Sequence, residues 1–367
     1  MVESFSSIPL LDLSQAASPD TRPRFLADLR YAVVRVGFFY LKGHRIPDAV
    51  QKAFVDKSVE FFDLPIEKKR EVDMINSPHF TGYTGYTEEK TKDEPDYRET
   101  VTLVVKDLPA PAPDQPLYRN LIGPNQWPSE VDVPGFRQAI KTYLHEVCRL
   151  MEEFKILIAE ALGLEPTALL PFFDNHAGDR FKLIKYPPPP QNPGEDDSSF
   201  SGIGPHKDGT FLTFLLQGTA HSGLEIQNKS GQWIPANPIP GTLVVNIGRL
   251  LESLTEGVCN ATTHRVSLRA ANFVDEAGRP LGPRYSFPVF QVLRWDRPRK
   301  EFVVNIPAEI ADPVRGEKII SDVQGQPREE YDRCLGNAVF KGYALKYSHV
   351  SQKYYPDVLA EARITRI

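Results

Sequence analysis

"GPHKDGTFLTFLLQG", residues 204–218, is the stretch on which the fold and the chemistry both turn. Its second part is an apolar, β-prone run, and its first part puts His206 and Asp208 two positions apart. Successive side chains of a strand point to opposite faces, so residues two apart share one. His206 and Asp208 can therefore reach a common point, with Lys207 pointing away and Gly209 allowing a bend directly after them. Two readings fit: a polar pair at a strand end, or two arms of a metal site. A third donor elsewhere decides between them.

"NATTHRVSL" (260–268) supplies that donor, His264, on another β-type run. Two histidines and one carboxylate make the facial set of non-haem iron(II) oxygenases, which leaves coordination positions open for chemistry. Farther on, "GPRYSFPVF" (282–290) carries Arg284 and Ser286, again two apart on a strand. Arginine pairs with a carboxylate through two parallel hydrogen bonds and serine adds a hydroxyl donor, a means of holding an organic acid beside a metal. Of the other histidines, His145 falls inside a helical stretch and His221 in a turn, and both read as structural or surface residues.

Outward from this segment the chain divides by pattern. Short β-type runs separated by turns continue through "RFKLIKYP", "TFLTFLLQ", "GLEIQN", "QWIPA", "TLVVNIG", "THRVSL", "RYSFPVFQVL" and "EFVVNI", the signature of a sandwich or jelly roll. Before them, residues 132–164 give the longest helical signal, with Phe136, Ile140, Tyr143, Val147, Met151, Phe154, Ile158 and Leu162 on one stripe. Helices are also expected over 18–37, 46–65 and 327–342, and strands over 7–13, 38–41 and 99–105. Residues 76–98 lack periodicity and read as a loop with short strand pieces. The proline clusters "LPAPAPDQP" and "YPPPPQNP" read as loops, since proline breaks helices and central strands.

The bulk numbers narrow the class. The chain has 367 residues, 41% hydrophobic and 25% charged, with a net charge of −5. That is ordinary for a globular protein with a sizeable core, and nothing in it suggests nucleic acid or an anionic membrane as partner. Three widely spaced cysteines with no CxxC pair argue against a disulfide framework or zinc-thiolate site and suit a reducing compartment. No signal peptide or membrane span is apparent, so a cytoplasmic location is expected, with a monomer as the default.

The ordered set of motifs resembles the iron(II)- and 2-oxoglutarate-dependent oxygenases of the isopenicillin N synthase-like group, over nearly the whole chain. "IPLLDLS" looks like the family's opening strand, "GFFYLKGHRIP" its "GFF…NHGIP" segment, and "FFDLPIEKKREV" its "FF.LP.EEK". "LIKYPPPP" resembles "NYYPPCP", and "GLEIQNKSGQWIPANPIPGTLVVNIG" resembles the central "GLQV…G.W..V.P.PG..VVN.GD" stretch.

The resemblance implies a mainly β fold with helices: a double-stranded β-helix (jelly roll) over 175–310, carried on a cap (1–130), a long supporting helix (131–165) and a C-terminal helical segment (311–367), all one unit. It implies Fe(II) held by His206, Asp208 and His264, and 2-oxoglutarate held by Arg284, Ser286 and Tyr186, with O2 as oxidant and ascorbate as a stimulant. The expected reaction couples decarboxylation of 2-oxoglutarate to hydroxylation, desaturation or ring formation on a small specialised metabolite or amino-acid-like substrate. Substrate contacts are expected from Phe80, Tyr83, Arg98, Thr100, Arg249, Phe340 and Tyr343, with Tyr86, Thr102 and Tyr347 nearby.

Three departures from the family pattern stand out. Ile184 replaces an asparagine, Arg249 replaces the acid of "VN.GD", and "RAANFVDEAGRPLG" (269–282) reads as a lengthened, solvent-exposed loop. Asp208 argues against a halogenase. Two alternatives stay open: an iron oxidase or cyclase that uses no 2-oxoglutarate, with Arg284 and Ser286 on the substrate's own carboxylate, and a non-catalytic jelly-roll binding protein.

Overall fold

The computed structural model describes residues 4–91, 94–189, 201–298, 301–321 and 334–364. Fourteen strands appear among the described residues: β1 (Leu10–Asp12), β2 (Phe38–Lys42), β3 (Gly82–Thr84), β4 (Lys90–Thr91), β5 (Glu94–Pro95), β6 (Glu99–Val104), β7 (Arg180–Tyr186), β8 (Ser201–His206), β9 (Leu212–Gln217), β10 (Leu224–Gln227), β11 (Trp233–Pro235), β12 (Thr242–Ile247), β13 (His264–Ser267) and β14 (Arg284–Gln291). Eight form one sheet in the order β1-β2-β12-β9-β14-β7-β6-β3, and four form a second in the order β11-β10-β13-β8. A two-stranded hairpin, β4-β5, stands apart.

Register explains why the large sheet has two chemically different faces. Pairing sets Phe39, Val245, Phe214, Phe287, Phe181 and Val101 on one side, since residues opposite one another in a ladder share a face. This side is covered by helices. Phe54 of the helix Asp48–Phe62 stacks on Tyr143 at 4.1 Å and meets Phe287 edge-on at 4.7 Å, while Phe154 of the helix Phe136–Ala161 meets Phe214 at 5.5 Å. All eight apolar positions of the expected stripe, from Phe136 to Leu162, are buried. Each such side chain removed from water contributes about 1.5–3 kcal/mol, so the long helix is held by its apolar stripe.

The opposite face looks toward the small sheet. Across it run Phe38, Asn246, Thr213, Leu215, Gln217, Ser286, Arg284, Tyr186, Ile184, Lys182, Thr100 and Thr102. Leu224, Ile226 and Val266 of the small sheet close an apolar cluster against Phe38, Tyr40, Ile184 and Leu215. The architecture is the jelly roll expected, with one edge of its inter-sheet face unusually polar.

Several expectations need correction. "EFVVNI" (301–306) is not a strand: it pairs with neither sheet, and its Phe302 packs instead into the core, against Phe172 at 5.7 Å. The strand beyond β13 comes instead from "SGIGPH", β8, whose glycines hid it. The helix Arg22–Tyr31 passes into a wider turn over Ala32–Val36, closed by Gly37 at φ +77°. The insertion 269–282 is not wholly solvent-exposed, because Phe273 is buried and meets the buried His221 edge-on at 5.0 Å. The last expected helix begins at Leu335 and runs to Lys346; residues 327–333 of the expected span, and 190–193 of the second proline cluster, lie outside the described residues. No described helix is long and apolar enough to cross a membrane.

Candidate active site

His206 is the last residue of β8, and Asp208 follows in the turn rather than on the strand. Their convergence therefore comes from the turn, not from strand alternation. The Asp208 carbonyl accepts from the Arg249 amide at 2.8 Å, tying this turn to the start of the helix Arg249–Leu254. His264 opens β13 and pairs across the ladder with His206. One ligand atom from each of His206, Asp208 and His264 lies within 4.8 Å of the others. The Asp208 Oδ1 atom is 3.6 Å from His206 Nε2 and 3.8 Å from His264 Nε2.

Every other polar side-chain atom of the three is already engaged. His206 Nδ1 faces the Gly204 carbonyl at 2.9 Å and His264 Nδ1 the Thr262 carbonyl at 3.1 Å. With Nδ1–H donated to those carbonyls, each Nε2 is left as a lone-pair donor aimed at Asp208. Asp208 Oδ2 accepts from Thr213 Oγ1 at 2.7 Å and from Asn246 Nδ2 at 2.8 Å, which leaves Oδ1 for the centre. Burial pushes the Asp208 carboxyl up, but His264, His206 and Asn246 outweigh it and hold it well below the usual carboxylate range. Burial, with His206 beside it, pushes His264 down to about 4. Asp208 is thus held ionised and His264 neutral near neutrality, the forms in which each can bind a metal. Two imidazole nitrogens and one carboxylate oxygen fit a divalent iron.

Arg284 opens β14 opposite Tyr186, and Ser286 lies two residues farther along, opposite Ile184. Arg284 is 1% exposed, its guanidinium lies 4.9 Å over the Tyr186 ring, and its Nη1 has no hydrogen-bond partner among the described residues. Burial pulls this guanidinium below its ordinary pKa, with Tyr186 opposing. A buried cation with an orphaned donor is costly unless an anion completes it. Arg284 with the Ser286 and Tyr186 hydroxyls fits the carboxylate of an organic acid. Gly202 of β8 makes room: a Cβ there would come 2.7 Å from the Tyr186 ring.

Comparison with known proteins agrees with this geometry. Residues 8–130 match the family model described as non-haem dioxygenase in morphine synthesis N-terminal, and residues 178–291 match that of the 2OG-Fe(II) oxygenase superfamily. A 2-oxoglutarate-dependent dioxygenase of Gibberella zeae is 42% identical over 98% of this chain and 94% of its own. The chain belongs to the 2OG-Fe(II) oxygenase superfamily. It is an enzyme that uses iron(II), 2-oxoglutarate and O2. A homoarginine-6-hydroxylase of Oryza sativa subsp. japonica is 34% identical over 72% of this chain and 82% of its own. The crystal structure of a full-length Neurospora crassa protein in complex with alpha-KG superposes with a TM-score of 0.65 at 26% identity, covering 79% of this chain and 86% of that one.

The substrate-contact candidates of this oxygenase fall into separate groups. Tyr83 lies on the helix-covered face and donates its hydroxyl to Glu99 at 2.7 Å, away from the inter-sheet face. Phe80, Phe340 and Tyr343 pack together, with Phe80 at 6.0 Å from Phe340 and 5.8 Å from Tyr343, and Tyr347 joins them at 6.1 Å. Arg98 and Thr100 are both buried against Glu89, at 2.7 and 3.1 Å. Tyr86 is 40% exposed and meets Tyr97 edge-on. Lys185, beside Ile184, turns to the other face toward the Phe62 carbonyl at 3.3 Å. Sequence reasoning missed Thr213, Asn246, Glu89 and Lys182. The first two carried a visible signal, being polar residues at inward positions of the otherwise apolar runs "LTFLLQ" and "LVVNI". Glu89 lies in the aperiodic segment, where nothing marks it as buried.

Proposed function

We propose that this oxygenase hydroxylates an unactivated C–H bond of a small amino-acid-like or specialised metabolite. His206 Nε2, Asp208 Oδ1 and His264 Nε2 hold iron, while Arg284, Ser286 and Tyr186 hold the distal carboxylate of 2-oxoglutarate. When bound, these groups supply an oxidant strong enough to take hydrogen from carbon, with 2-oxoglutarate leaving as succinate and carbon dioxide. The chain's own share is to fix both anchors on adjoining strands, to keep Asp208 ionised through Thr213 and Asn246, and to hold water off with the apolar inter-sheet cluster.

The observation that carries this reading is the pairing of a complete His206–Asp208–His264 cluster with a buried Arg284 that lacks a counter-ion among the described residues. The amino-acid-like class is supported by the relative named homoarginine-6-hydroxylase. Succinate release, measured over a panel of basic and neutral amino acids, should rise above the uncoupled rate for at least one. Mass spectrometry should show that product with one added oxygen. A panel in which no member accelerates succinate release would reject the amino-acid class, and a product lacking two hydrogens would reject hydroxylation in favour of desaturation or ring closure.

A further inference from the structure

One short helix, Arg249–Leu254, touches both segments that carry the metal-ligating residues. The ladder between β8 and β13 ends at the His206–His264 pair, and beyond it neither residues 207–210 nor residues 260–263 lie in a strand. These residues surround Asp208 and lead directly into His264, so contacts outside that ladder have to place them. The helix supplies several. At its start the Arg249 amide donates to the Asp208 carbonyl at 2.8 Å, and the Leu250 amide donates to the Thr210 carbonyl at 2.9 Å.

The Glu252 side chain, farther along the same helix, joins the two segments to each other. Its Oε1 accepts from the Lys207 ammonium at 3.4 Å and from the Ala261 amide at 3.2 Å. Lys207 stands between His206 and Asp208 in the chain. Ala261 precedes Thr262, whose carbonyl orients the His264 ring at 3.1 Å. On its other side this stretch is packed close: Thr262 Oγ1 donates to the Val36 carbonyl at 2.7 Å, and a Cβ at Gly37 would come 2.6 Å from the Asn260 carbonyl oxygen. The approach to His264 is thus held between Gly37 and Glu252, and the carboxylate that holds it also holds the Asp208 turn. Ligand arms fixed beforehand lose less conformational freedom when a ligand arrives, so their arrangement raises affinity.

We propose that Glu252 is a positioning residue for the metal centre: through Lys207 and the Ala261 amide it sets the separation between the Asp208 turn and the approach to His264 in the metal-free protein, and so strengthens iron(II) binding. The inference rests on the reading of His206, Asp208 and His264 as the iron ligands.

The test compares the wild type with Glu252→Ala, Glu252→Gln, Lys207→Met and the double variant Lys207→Met/Glu252→Ala. Iron(II) affinity is measured anaerobically on metal-free protein by competition with a chromophoric chelator. Glu252→Ala should raise the Kd about 10-fold, the low end of the cost of losing an outer partner of a metal site. Glu252→Gln keeps an acceptor for the Ala261 amide and should lose only about 3-fold, as should Lys207→Met, the scale of one modest hydrogen bond each. The double variant should bind no more weakly than Glu252→Ala, which has already lost the Lys207 contact. Hydrogen exchange on the metal-free proteins separates positioning from general stability. In Glu252→Ala, exchange should quicken in peptides over 204–210 and 258–264 and stay at the wild-type rate over 136–161. An unchanged Kd in Glu252→Ala, or exchange that quickens equally in all these peptides, would overturn the proposal. If Glu252→Ala does not fold, the two milder single variants decide, and wild-type affinity in both would overturn it. A wild type that binds no iron(II) strikes the ligand reading itself, whereas a wild type that binds no more tightly than Glu252→Ala strikes only the role of Glu252.

Discussion

His264 lies directly across the ladder from His206, with ring centroids 4.2 Å apart and planes inclined by 53°. Each ring is oriented by the carbonyl two residues before it, Gly204 for His206 and Thr262 for His264, so the two imidazoles are set by the same local device. Phe38 meets His264 edge-on at 5.1 Å and limits its rotation from the other side. Backbone pairing, the two carbonyls and Phe38 thus set the orientation of the pair. Substituting His206 or Asp208 by Ala should abolish stoichiometric iron binding and turnover while the far-UV circular dichroism stays that of the wild type. Retained turnover in either variant contradicts the assignment.

Asn246 shapes the third arm. Its amide and the Thr213 hydroxyl take up Asp208 Oδ2, leaving one oxygen for the centre. Asn246→Ala should weaken iron(II) binding by roughly 10–100-fold, the usual cost of losing an orienting partner of a metal ligand. Asn246→Asp should be worse, because it sets a second carboxylate against Asp208. Iron content after dialysis against a graded chelator measures both.

Gly202 separates a structural need for glycine from a mere preference. A Cβ at this position meets the Tyr186 ring at 2.7 Å, whereas one at Gly204, on the same strand, meets only Thr91 at an ordinary 3.5 Å. Gly202→Ala should lower stability by about 1–3 kcal/mol through overpacking and raise the Kd for 2-oxoglutarate. Gly204→Ala should do neither. Thermal melts and cosubstrate titration of the two variants give the comparison.

Burial pushes the thiols of Cys148 and Cys259 up to about 12, with Asp179 and Glu152 adding to the effect at Cys148. A thiol reacts as its thiolate, so both should resist alkylation in the native protein at about pH 8 and react fully once unfolded in guanidinium. Rapid native labelling of Cys259 would mean that the core around it opens readily.

How much of this was legible beforehand follows from where each residue sits. The His206, Asp208 and His264 set could be read because the chemistry of a metal centre demands particular residue types, and the β-patterned runs around them limited the folds. The long helix could be read because its stripe is buried along its whole length, so period alone defines it. The site's inner face could not be read, because it depends on register between strands far apart in the chain. Tyr83 and Thr84 look equivalent in sequence, but pairing of β3 with β6 sends Tyr83 to the helices and Thr84 to the inter-sheet face. The burial of Arg98 could not be read for a related reason: Glu89, to which it donates at 2.7 Å, comes from an aperiodic loop. "EFVVNI" has strand composition, yet a strand forms only where the chain runs alongside a partner, which local composition does not record.

The most direct test of the central claim is an anaerobic titration of the iron(II) protein with 2-oxoglutarate, following the weak visible charge-transfer band of a metal-chelated keto acid. The wild type should develop the band and saturate. Arg284→Ala should need roughly 30–150-fold more 2-oxoglutarate, the loss of about 2–3 kcal/mol from a buried charge-assisted contact. An Arg284→Ala protein that saturates at the wild-type concentration would contradict the account, for the buried guanidinium would then serve some other acid.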